Sequence, residues 1–296
     1  MSVFIDKETR VLVQGITGSE GSYWTRHMID LGTNVVAGVT PGKGGIEVEG
    51  VKVYNTVQQA VTATQADAAV LFVPPKFAYD AIFETLDAGI RKIVVTAEGI
   101  PLHEAMKVRT AALARGAIVI GGNTTGVITP GVAMMGFLPY WIDRVYKPGR
   151  VGVMTRSGSL TNEATAMMVE AGYGVSSLIG IGGDAVPFTR FAEMLPAFEA
   201  DPETDAVLII GELGGTMEEE VAAAIQSGIF TKPLVAFIAG RNAPVGKKMG
   251  HAGAIISGGK GTVAGKASAL RAAGALVADK PSQIGELFRT VFNPKK

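Results

Sequence analysis

The fold class is decided by the stretch Arg10-Val11-Leu12-Val13-Gln14-Gly15-Ile16-Thr17-Gly18-Ser19-Glu20-Gly21 near the start of the chain. Its apolar first part predicts a buried strand that ends at Gly15, and its second part leads into a helix. Glycines in such a turn let the backbone approach a ligand, and the free N–H groups of a helix end attract phosphate. The loop alone is compatible with an NAD site, a CoA site or a plain tight turn.

Apolar runs and amphipathic segments alternate beyond this stretch. Strands are predicted at 10–14, 34–39, 68–73, 92–96 and 117–121, and helices at 21–31, 76–88 and 102–116. Uninterrupted apolar strands separated by helices indicate a parallel sheet that is covered on both faces. The first half therefore predicts a doubly wound α/β domain.

A second domain of the same class follows the segment Tyr146-Lys147-Pro148-Gly149-Arg150, in which Pro-Gly breaks regular structure. Strands are predicted at 151–154, 177–180, 206–211 and 234–239, and helices at 160–171, 190–200, 217–226, 266–273 and 282–292. We expect one domain over residues 1–147 and another over 148–296, because 296 residues suit two domains of ordinary size.

Composition narrows the function classes. Lys+Arg and Asp+Glu are both 27, so the charge balance predicts neither nucleic-acid binding nor attraction to an anionic membrane. The absence of Cys excludes disulfides, thiolate metal ligands and a cysteine nucleophile. The N-terminus lacks the pattern of a signal peptide, and no apolar run reaches the ~18–20 residues that span a bilayer. We expect a cytoplasmic protein without a metal site of its own.

One of the three histidines lies in the small-residue segment Gly250-His251-Ala252-Gly253-Ala254-Ile255-Ile256. Small neighbours leave an imidazole open to a tetrahedral phosphorus, and a histidine used in this way can carry a phosphoryl group as a nucleophile. A histidine in an ordinary glycine-rich turn is the alternative. The sequence thus offers His251 as a candidate nucleophile.

Two loops of the second domain offer partners for such a histidine. Ser157-Gly158-Ser159 precedes a predicted helix, where it serves as an ordinary N-cap or as a cradle for a phosphoryl dianion. Glu212 stands among glycines at a strand end, where a carboxylate can hold an imidazole tautomer or simply face solvent.

The first domain also contains a basic loop after its second predicted strand. Its second strand ends at Gly38-Val39-Thr40 without the acidic residue that binds an adenosine ribose, which argues against NAD. Pro41-Gly42-Lys43-Gly44-Gly45 follows at once, and a cation at Lys43 suits the additional phosphates of CoA. A solvated loop lysine is the alternative.

Taken together in order, these motifs resemble the α subunit of the succinyl-CoA synthetase and malate–CoA ligase family over essentially the whole chain. Further matching segments are Glu98-Gly99-Ile100-Pro101, Gly126–Gly131, Gly180–Asp184 and Gly211–Gly215. The resemblance implies an N-terminal Rossmann-like CoA-binding domain followed by a flavodoxin-like ligase domain. It also implies an enzyme, an acid–thiol ligase that forms a nucleoside diphosphate.

By this resemblance His251 is the phosphohistidine, Glu212 is its partner, and Ser157, Gly158 and Ser159 hold the phosphate. The CoA-binding residues that it implies are Thr17, Gly18, Ser19, Lys43, Val73, Pro74, Pro75, Thr96, Glu98 and Asn123. ATP or GTP with Mg²⁺ binds a separate ATP-grasp β subunit, in an αβ or α₂β₂ assembly.

Two departures from the family pattern concern the acid substrate. Thr125 replaces a proline and Asn162 replaces a tyrosine, beside the expected meeting point of thioester and phosphohistidine. Added hydroxyl and amide groups suit a short anionic acid other than succinate, such as malate or sulfoacetate. A non-catalytic CoA- or nucleotide-binding sensor and a citryl-CoA-type ligase subunit are the alternative functions.

Overall fold

The computed structural model describes residues 3–244, 249–256 and 261–291. Within them the chain divides into two compact units. The first unit holds Phe4–Leu138 and Val186–Thr189, and the second holds Pro139–Ala185 and Arg190 onward. The domain boundary that we expect at residues 147 and 148 remains a prediction.

The first unit is built on a mostly parallel sheet. Its elements are β1 (Val11–Gln14), α1 (Ser19–Leu31), β2 (Val35–Val39), β3 (Glu47–Val48), β4 (Val51–Tyr54), α2 (Val57–Thr64), β5 (Ala68–Leu71), α3 (Pro75–Asp87), β6 (Lys92–Val95), α4 (Leu102–Ala114), β7 (Ile118–Gly121), β8 (Gly126–Thr129) and β9 (Ala133–Gly136). The sheet order is β3-β4-β2-β1-β5-β6-β7, with β3 antiparallel to β4. β8 and β9 form an antiparallel hairpin.

When the antiparallel strand β3 is left out, the order β4-β2-β1-β5-β6-β7 is the Rossmann order, with β1 near the centre of the sheet. β1 pairs with β2 on one side and with β5 on the other. The strands before β5 are therefore added on one side of β1, and β5 and the later strands on the other side. Ligands bind at such a switch point, beyond the carboxyl ends of the strands. The loops that follow β1 and β5 are therefore the expected binding loops of this unit.

The second unit contains another parallel sheet. Its elements are α5 (Asp143–Tyr146), β10 (Pro148–Thr155), α6 (Gly158–Glu170), β11 (Val175–Gly180), α7 (Phe191–Ala200), β12 (Ala206–Glu212), α8 (Met217–Gln226), β13 (Leu234–Ala239), α9 (Val263–Ala272), β14 (Leu276–Ala278) and α10 (Ile284–Val291). These strands run in the order β14-β13-β12-β10-β11, which is the flavodoxin-like order. The switch point lies between β10 and β12.

The predicted fold class is confirmed for both units, whereas several short elements were not predicted. The two-residue strand β3 and the hairpin β8–β9 are too short to show a periodic pattern. α2 is rich in β-branched residues, which have low helix propensity, and it begins at the capping side chain of Thr56. Residue 292, the predicted end of the last helix, lies outside the described residues.

Candidate functional site

The switch point of the second unit brings three ionisable side chains together. The Nδ1 atom of His251 lies 2.7 Å from Oε2 of Glu212, the last residue of β12. The other carboxylate oxygen, Oε1, lies 3.2 Å from Nη1 of Arg156, which follows β10 directly. Glu212 and Arg156 are buried and His251 is one-quarter exposed. The structure thus places the predicted histidine and its predicted partner in direct contact.

This contact fixes the tautomer of the neutral imidazole. Nδ1 donates its proton to the carboxylate of Glu212, so the lone pair of the neutral ring lies on Nε2. The Arg156 guanidinium balances the carboxylate charge on its opposite oxygen. In this tautomer Nε2 is the basic nitrogen of the ring, and a buried carboxylate orients the ring.

Backbone contacts hold the His251 loop closely against the loops that follow the strands. A Cβ atom added at Gly183 would lie 2.6 Å from Cγ of His251, so the ring packs on the glycine backbone. A Cβ atom added at Gly214 would lie 2.3 Å from the carbonyl oxygen of Gly253. The N–H of Gly253 also donates to the carbonyl of Gly183 at 3.3 Å. Side chains at these glycines would displace the loop.

A fully buried ion pair supports the loop that carries Glu212. Lys266 on α9 contacts Glu218 on α8, and neither side chain is exposed. Lys266 Nζ donates to the carbonyl of Gly214 at 2.6 Å, and Glu218 Oε1 accepts the backbone N–H of Glu212 at 3.2 Å. Desolvation raises the pKa of Glu218, although the neighbouring Lys266 opposes this effect. The pair fixes the backbone on both sides of Leu213.

The N-terminus of α6 adjoins the same switch point. Ser157 is its N-cap, and its hydroxyl accepts from the N–H of Leu160 at 3.4 Å. The helix begins at Gly158 rather than near Leu160 as predicted, so Ser159 is an exposed residue of the first turn and not part of the cap. The buried hydroxyl of Thr161 donates to the hydroxyl of Thr155 at 2.9 Å, which ties the helix to β10. The first turn of a helix presents backbone N–H groups that can bind an anion.

The switch point of the first unit contains a cavity of about 480 Å³. Its lining residues are Gly18, Ser19, Glu20, Gly21, Phe72, Val73, Pro74, Thr96 and Phe137. Of the residues predicted to bind CoA, the structure brings Gly18, Ser19, Val73, Pro74 and Thr96 into this cavity. Phe137 was missed because it comes from the end of the β8–β9 hairpin, where no motif marks it.

Glycine is required in the loop that forms one wall of this cavity. Gly15 has a φ of +77°, and a Cβ atom there would lie 2.2 Å from the carbonyl oxygen of Phe72. A Cβ atom at Gly21 would lie 2.1 Å from the carbonyl oxygen of Gly15. The loop therefore packs backbone against backbone, which leaves the start of α1 open to the phosphate groups of a ligand.

The other predicted CoA residues lie around the same strand ends without lining the cavity. The Thr17 hydroxyl donates to that of Thr40 at 3.2 Å, and the N–H of Lys43 donates to the Thr40 carbonyl at 3.1 Å. Lys43 itself is exposed. Pro75 and Glu98 are exposed as well, at the start of α3 and after β6. The structure thus links the Thr17 loop to the Lys43 loop through Thr40.

Asn123 and the two residues predicted to select the acid have defined local partners. Asn123 adopts a left-handed φ of 56°, and its N–H donates to the carbonyl of Ala97 at 2.7 Å. The carbonyl of Thr125 accepts the N–H of Phe137 at 2.8 Å in the first unit. Asn162 lies on α6 in the second unit, where its Oδ1 accepts the Tyr146 hydroxyl at 3.0 Å. Tyr146 was not predicted as part of any site.

The described residues provide neither a cluster of metal ligands nor a membrane-spanning helix. They contain no group of three or more His, Cys, Asp or Glu side chains arranged to hold a metal ion. None of the helices in the same part of the chain has the length and hydropathy that a bilayer span requires.

Comparison with known proteins identifies the class to which this fold and these two sites belong. Residues 6–99 match the family model of the CoA binding domain, and residues 154–276 match that of CoA-ligase. The chain belongs to the family of α subunits of nucleoside-diphosphate-forming acid–CoA ligases. It is thus an acid–thiol ligase subunit with CoA as a substrate, as the resemblance in the sequence predicts.

Particular relatives are similar over nearly the whole chain. An ADP-forming sulfoacetate-CoA ligase subunit from an Acholeplasma species is 67% identical over 97% of this chain and 97% of its own length. A second subunit of that description, from Bilophila wadsworthia, is 63% identical over 99% of this chain and 100% of its own. An ADP-forming succinate–CoA ligase subunit alpha from Archaeoglobus fulgidus is 50% identical over 99% of both chains.

A solved structure shares the architecture. The ATP citrate lyase of Methanothrix soehngenii, in complex with citrate and coenzyme A, superposes with a TM-score of 0.89 at 29% identity. The match covers 97% of this chain and 50% of that one, so this chain corresponds to half of the lyase.

Proposed function

We propose that this chain is the α subunit of an ADP-forming sulfoacetate–CoA ligase in which His251 carries the phosphoryl group. The observation that carries the proposal is the 2.7 Å contact between Nδ1 of His251 and Glu212, which leaves Nε2 as the nucleophile. The two sulfoacetate-CoA ligase subunits are 67% and 63% identical to this chain, against 50% for the succinate–CoA ligase relative, and this difference supports sulfoacetate as the acid.

The first step forms the phosphohistidine. Nε2 of His251 attacks the γ-phosphorus of the nucleoside triphosphate, the bond to the β-phosphate oxygen breaks, and the nucleoside diphosphate leaves. Glu212 accepts the hydrogen bond from Nδ1–H and stabilises the positive charge that the ring gains when Nε2 bonds to phosphorus. The positive end of α6, at Ser157, Gly158 and Ser159, neutralises part of the phosphoryl charge.

The next two steps transfer the activated group to CoA. A carboxylate oxygen of sulfoacetate attacks the phosphorus, the N–P bond breaks, and His251 returns to its neutral form as an acyl phosphate forms. The CoA thiol then attacks the carbonyl carbon, and phosphate leaves with the thiol proton. The thioester sulfoacetyl-CoA, ADP and phosphate are the products.

We assign CoA to the cavity at the β1–β5 switch point, with Lys43 as the cation for a phosphate group. The glycine loop and the N-terminus of α1 suit the pyrophosphate, since a Cβ atom at Gly15 or Gly21 would clash with neighbouring backbone and displace the loop from the helix end. Thr17, Pro75, Glu98 and Asn123 lie on neighbouring strand ends and complete the proposed CoA-binding set. An ATP-grasp β subunit supplies the nucleotide and Mg²⁺. We assign the assembled enzyme to the cytoplasm.

The acid assignment is tested with the chain co-purified with an ATP-grasp β subunit. ADP release is measured with CoA and each of sulfoacetate, malate and succinate, and kcat/KM is compared. Sulfoacetate should give the highest value. A higher kcat/KM for succinate or malate would overturn the acid assignment, and ADP release without CoA consumption for every acid would overturn the ligase reaction.

A further inference from the structure

The guanidinium of Arg156 is buried beside the loop that carries His251. Its Nε atom donates to the carbonyl of Gly182 at 3.2 Å, and its Nη2 atom donates to the carbonyl of Asp184 at 3.0 Å. A Cβ atom added at Gly253 would lie 2.5 Å from Nη2, so the guanidinium packs on the histidine loop. Only 4% of the side chain is exposed. Hydrogen bonds to two backbone carbonyls thus fix the position of this cation.

The contact between Arg156 and Glu212 is an ion pair without an aligned hydrogen bond. Nη1 lies 3.2 Å from Oε1 of Glu212, and this buried oxygen accepts no hydrogen bond from the described residues. The other oxygen, Oε2, lies 2.7 Å from Nδ1 of His251. The carboxylate therefore stands between a permanent cation and a ring that can gain or lose a proton.

The carboxylate and the guanidinium have opposite effects on the charge of the ring. A carboxylate in contact with an imidazole favours the protonated ring, whereas a nearby cation disfavours it. Protonation places a proton on both nitrogens, so Nε2 loses the lone pair that a nucleophile needs. Because Arg156 offsets the charge of Glu212, the ring of His251 faces a pair with little net charge, and the neutral ring is favoured.

The other charged side chains of the described residues around this site do not replace Arg156. Glu218 on α8 and Lys266 on α9 form their own ion pair, so together they add no net charge. Asp184, after β11, is a further buried carboxyl group, and it adjoins Gly183, on which the ring packs. In the described part of the chain, Arg156 is thus the cation that contacts the carboxylate partner of the ring.

We propose that Arg156 is a positioning residue that acts through Glu212 and keeps the His251 ring neutral at the pH of the reaction. This inference rests on the proposed function for its consequence, since phosphorylation of Nε2 requires the neutral ring. Its physical basis is the charge that Arg156 places beside Glu212, which depends neither on the acid nor on CoA. Loss of the guanidinium should therefore favour the protonated ring.

The test measures the pH at which half of the His251 ring is protonated, from the NMR signal of its Cε1–H group in the chain with isotope-labelled histidine. His251→Ala identifies this signal among those of the three histidines. Arg156→Met removes the positive charge, and Arg156→Lys keeps one. Glu212→Gln removes the negative charge, alone and in combination with Arg156→Met.

Arg150→Met is the matched control on the same strand. Arg150 lies near the start of β10, where its Nη2 atom donates to Oδ1 of Asp205 at 2.8 Å. β10 and β12 are parallel neighbours, so this pair and the pair of Arg156 with Glu212 lie at opposite ends of the two strands. The control removes a paired arginine at the end away from the ring and should titrate like wild type.

For Arg156→Met we expect the midpoint of the ring titration to rise by about one pH unit, because the carboxylate then acts on the ring without its cation. Glu212→Gln should lower the midpoint, since the guanidinium then acts alone. The double variant and Arg156→Lys should both titrate near wild type. With the β subunit and Mg-ATP, Arg156→Met should phosphorylate His251 about ten-fold more slowly than wild type below the midpoint, and its rate should recover as pH rises.

An unchanged midpoint in Arg156→Met would overturn the inference, as would an equal shift in Arg150→Met. If Asp184→Asn restores the midpoint of Arg156→Met and Glu212→Gln does not, the guanidinium balances a different carboxylate and the inference is wrong. If Arg156→Met does not fold, Glu212→Gln decides, because a lowered midpoint upholds the inference and an unchanged one refutes it. The proposed function fails separately: if wild type gains no phosphoryl label, the shifts of the ring titration still establish the effect of Arg156.

Discussion

Glu218 and Lys266 form an ion pair with no solvent exposure directly beneath the loop that presents Glu212. Each member also bonds to the backbone of that loop, through the N–H of Glu212 and the carbonyl of Gly214. The backbone of the loop that carries Glu212 is thus supported by two charges on neighbouring helices.

Removing one member of this pair should be much more harmful than removing both. Lys266→Met leaves the Glu218 carboxylate buried without a cation, which costs about 3–5 kcal/mol in the free energy of unfolding. Lys266→Met combined with Glu218→Gln removes both charges and keeps an acceptor for the Glu212 N–H, so most of the stability should return. Urea unfolding of the three proteins measures the difference. A double variant as unstable as the single one would show that the charges do not act as a pair.

The phosphohistidine assignment predicts a chemical label on one histidine. With its β subunit and Mg-ATP, the chain should gain an acid-labile, base-stable phosphoryl group that His251→Ala abolishes. Glu212→Gln should slow labelling, because it weakens the hydrogen bond that fixes the His251 tautomer. His27→Ala and His103→Ala are the controls. Labelling that survives in His251→Ala, or disappears in either control, would refute the assignment.

Lys43→Ala should weaken CoA binding by about ten- to a hundred-fold, as for the loss of one charge-assisted contact. Calorimetric titration with CoA and dephospho-CoA locates the contact, since a smaller loss for dephospho-CoA assigns Lys43 to the 3′-phosphate. Equal losses would assign it to the pyrophosphate. Lys52→Ala, which removes a neighbouring lysine beside Tyr54, should bind CoA like wild type. Unchanged affinity in Lys43→Ala would remove this residue from the site.

Gly183→Ala should impair phosphorylation of His251 without affecting CoA affinity. The added methyl group would lie 2.6 Å from Cγ of the His251 ring, so the ring must move away from its present position against Gly183. The rate of the phosphohistidine label reports this displacement. Gly265→Ala, in which the methyl group approaches only the Thr262 hydroxyl at 3.0 Å, serves as the control. Equal labelling rates in wild type and Gly183→Ala would show that the loop adjusts freely.

Acid sensitivity of the second unit should depend in part on Glu199. Burial alone would raise its pKa, but hydrogen bonds from the hydroxyl and N–H of Thr231 and from the N–H of Lys232 lower it below the ordinary value. A lowered folded-state pKa contributes stability above the unfolded-state pKa, and this contribution is lost as pH falls through the folded-state pKa. Glu199→Gln should therefore be less stable than wild type at pH 7, and the difference should shrink in acid. A difference independent of pH would contradict this linkage.

The sequence predicts the two sheets because their strands are buried apolar runs with glycine loops at their carboxyl ends. It also predicts His251 and Glu212, since each stands alone among small residues. The pairing of Glu218 with Lys266 could not be predicted, because the two residues lie on separate helices that look ordinary in sequence. Nor does any motif predict that Tyr146, from a four-residue helix, bonds to Asn162.

Packing of glycine backbones around the histidine loop has a practical consequence for directed evolution toward other acids. Gly183, Gly214 and Gly253 each lack the space for a methyl group, so codons at these positions are best left fixed in a mutant library. Diversity is better placed at Thr125 and Asn162, the positions that the sequence predicts to select the acid. Such a library tests the predicted specificity positions while the glycine backbone against which the His251 ring packs stays unchanged.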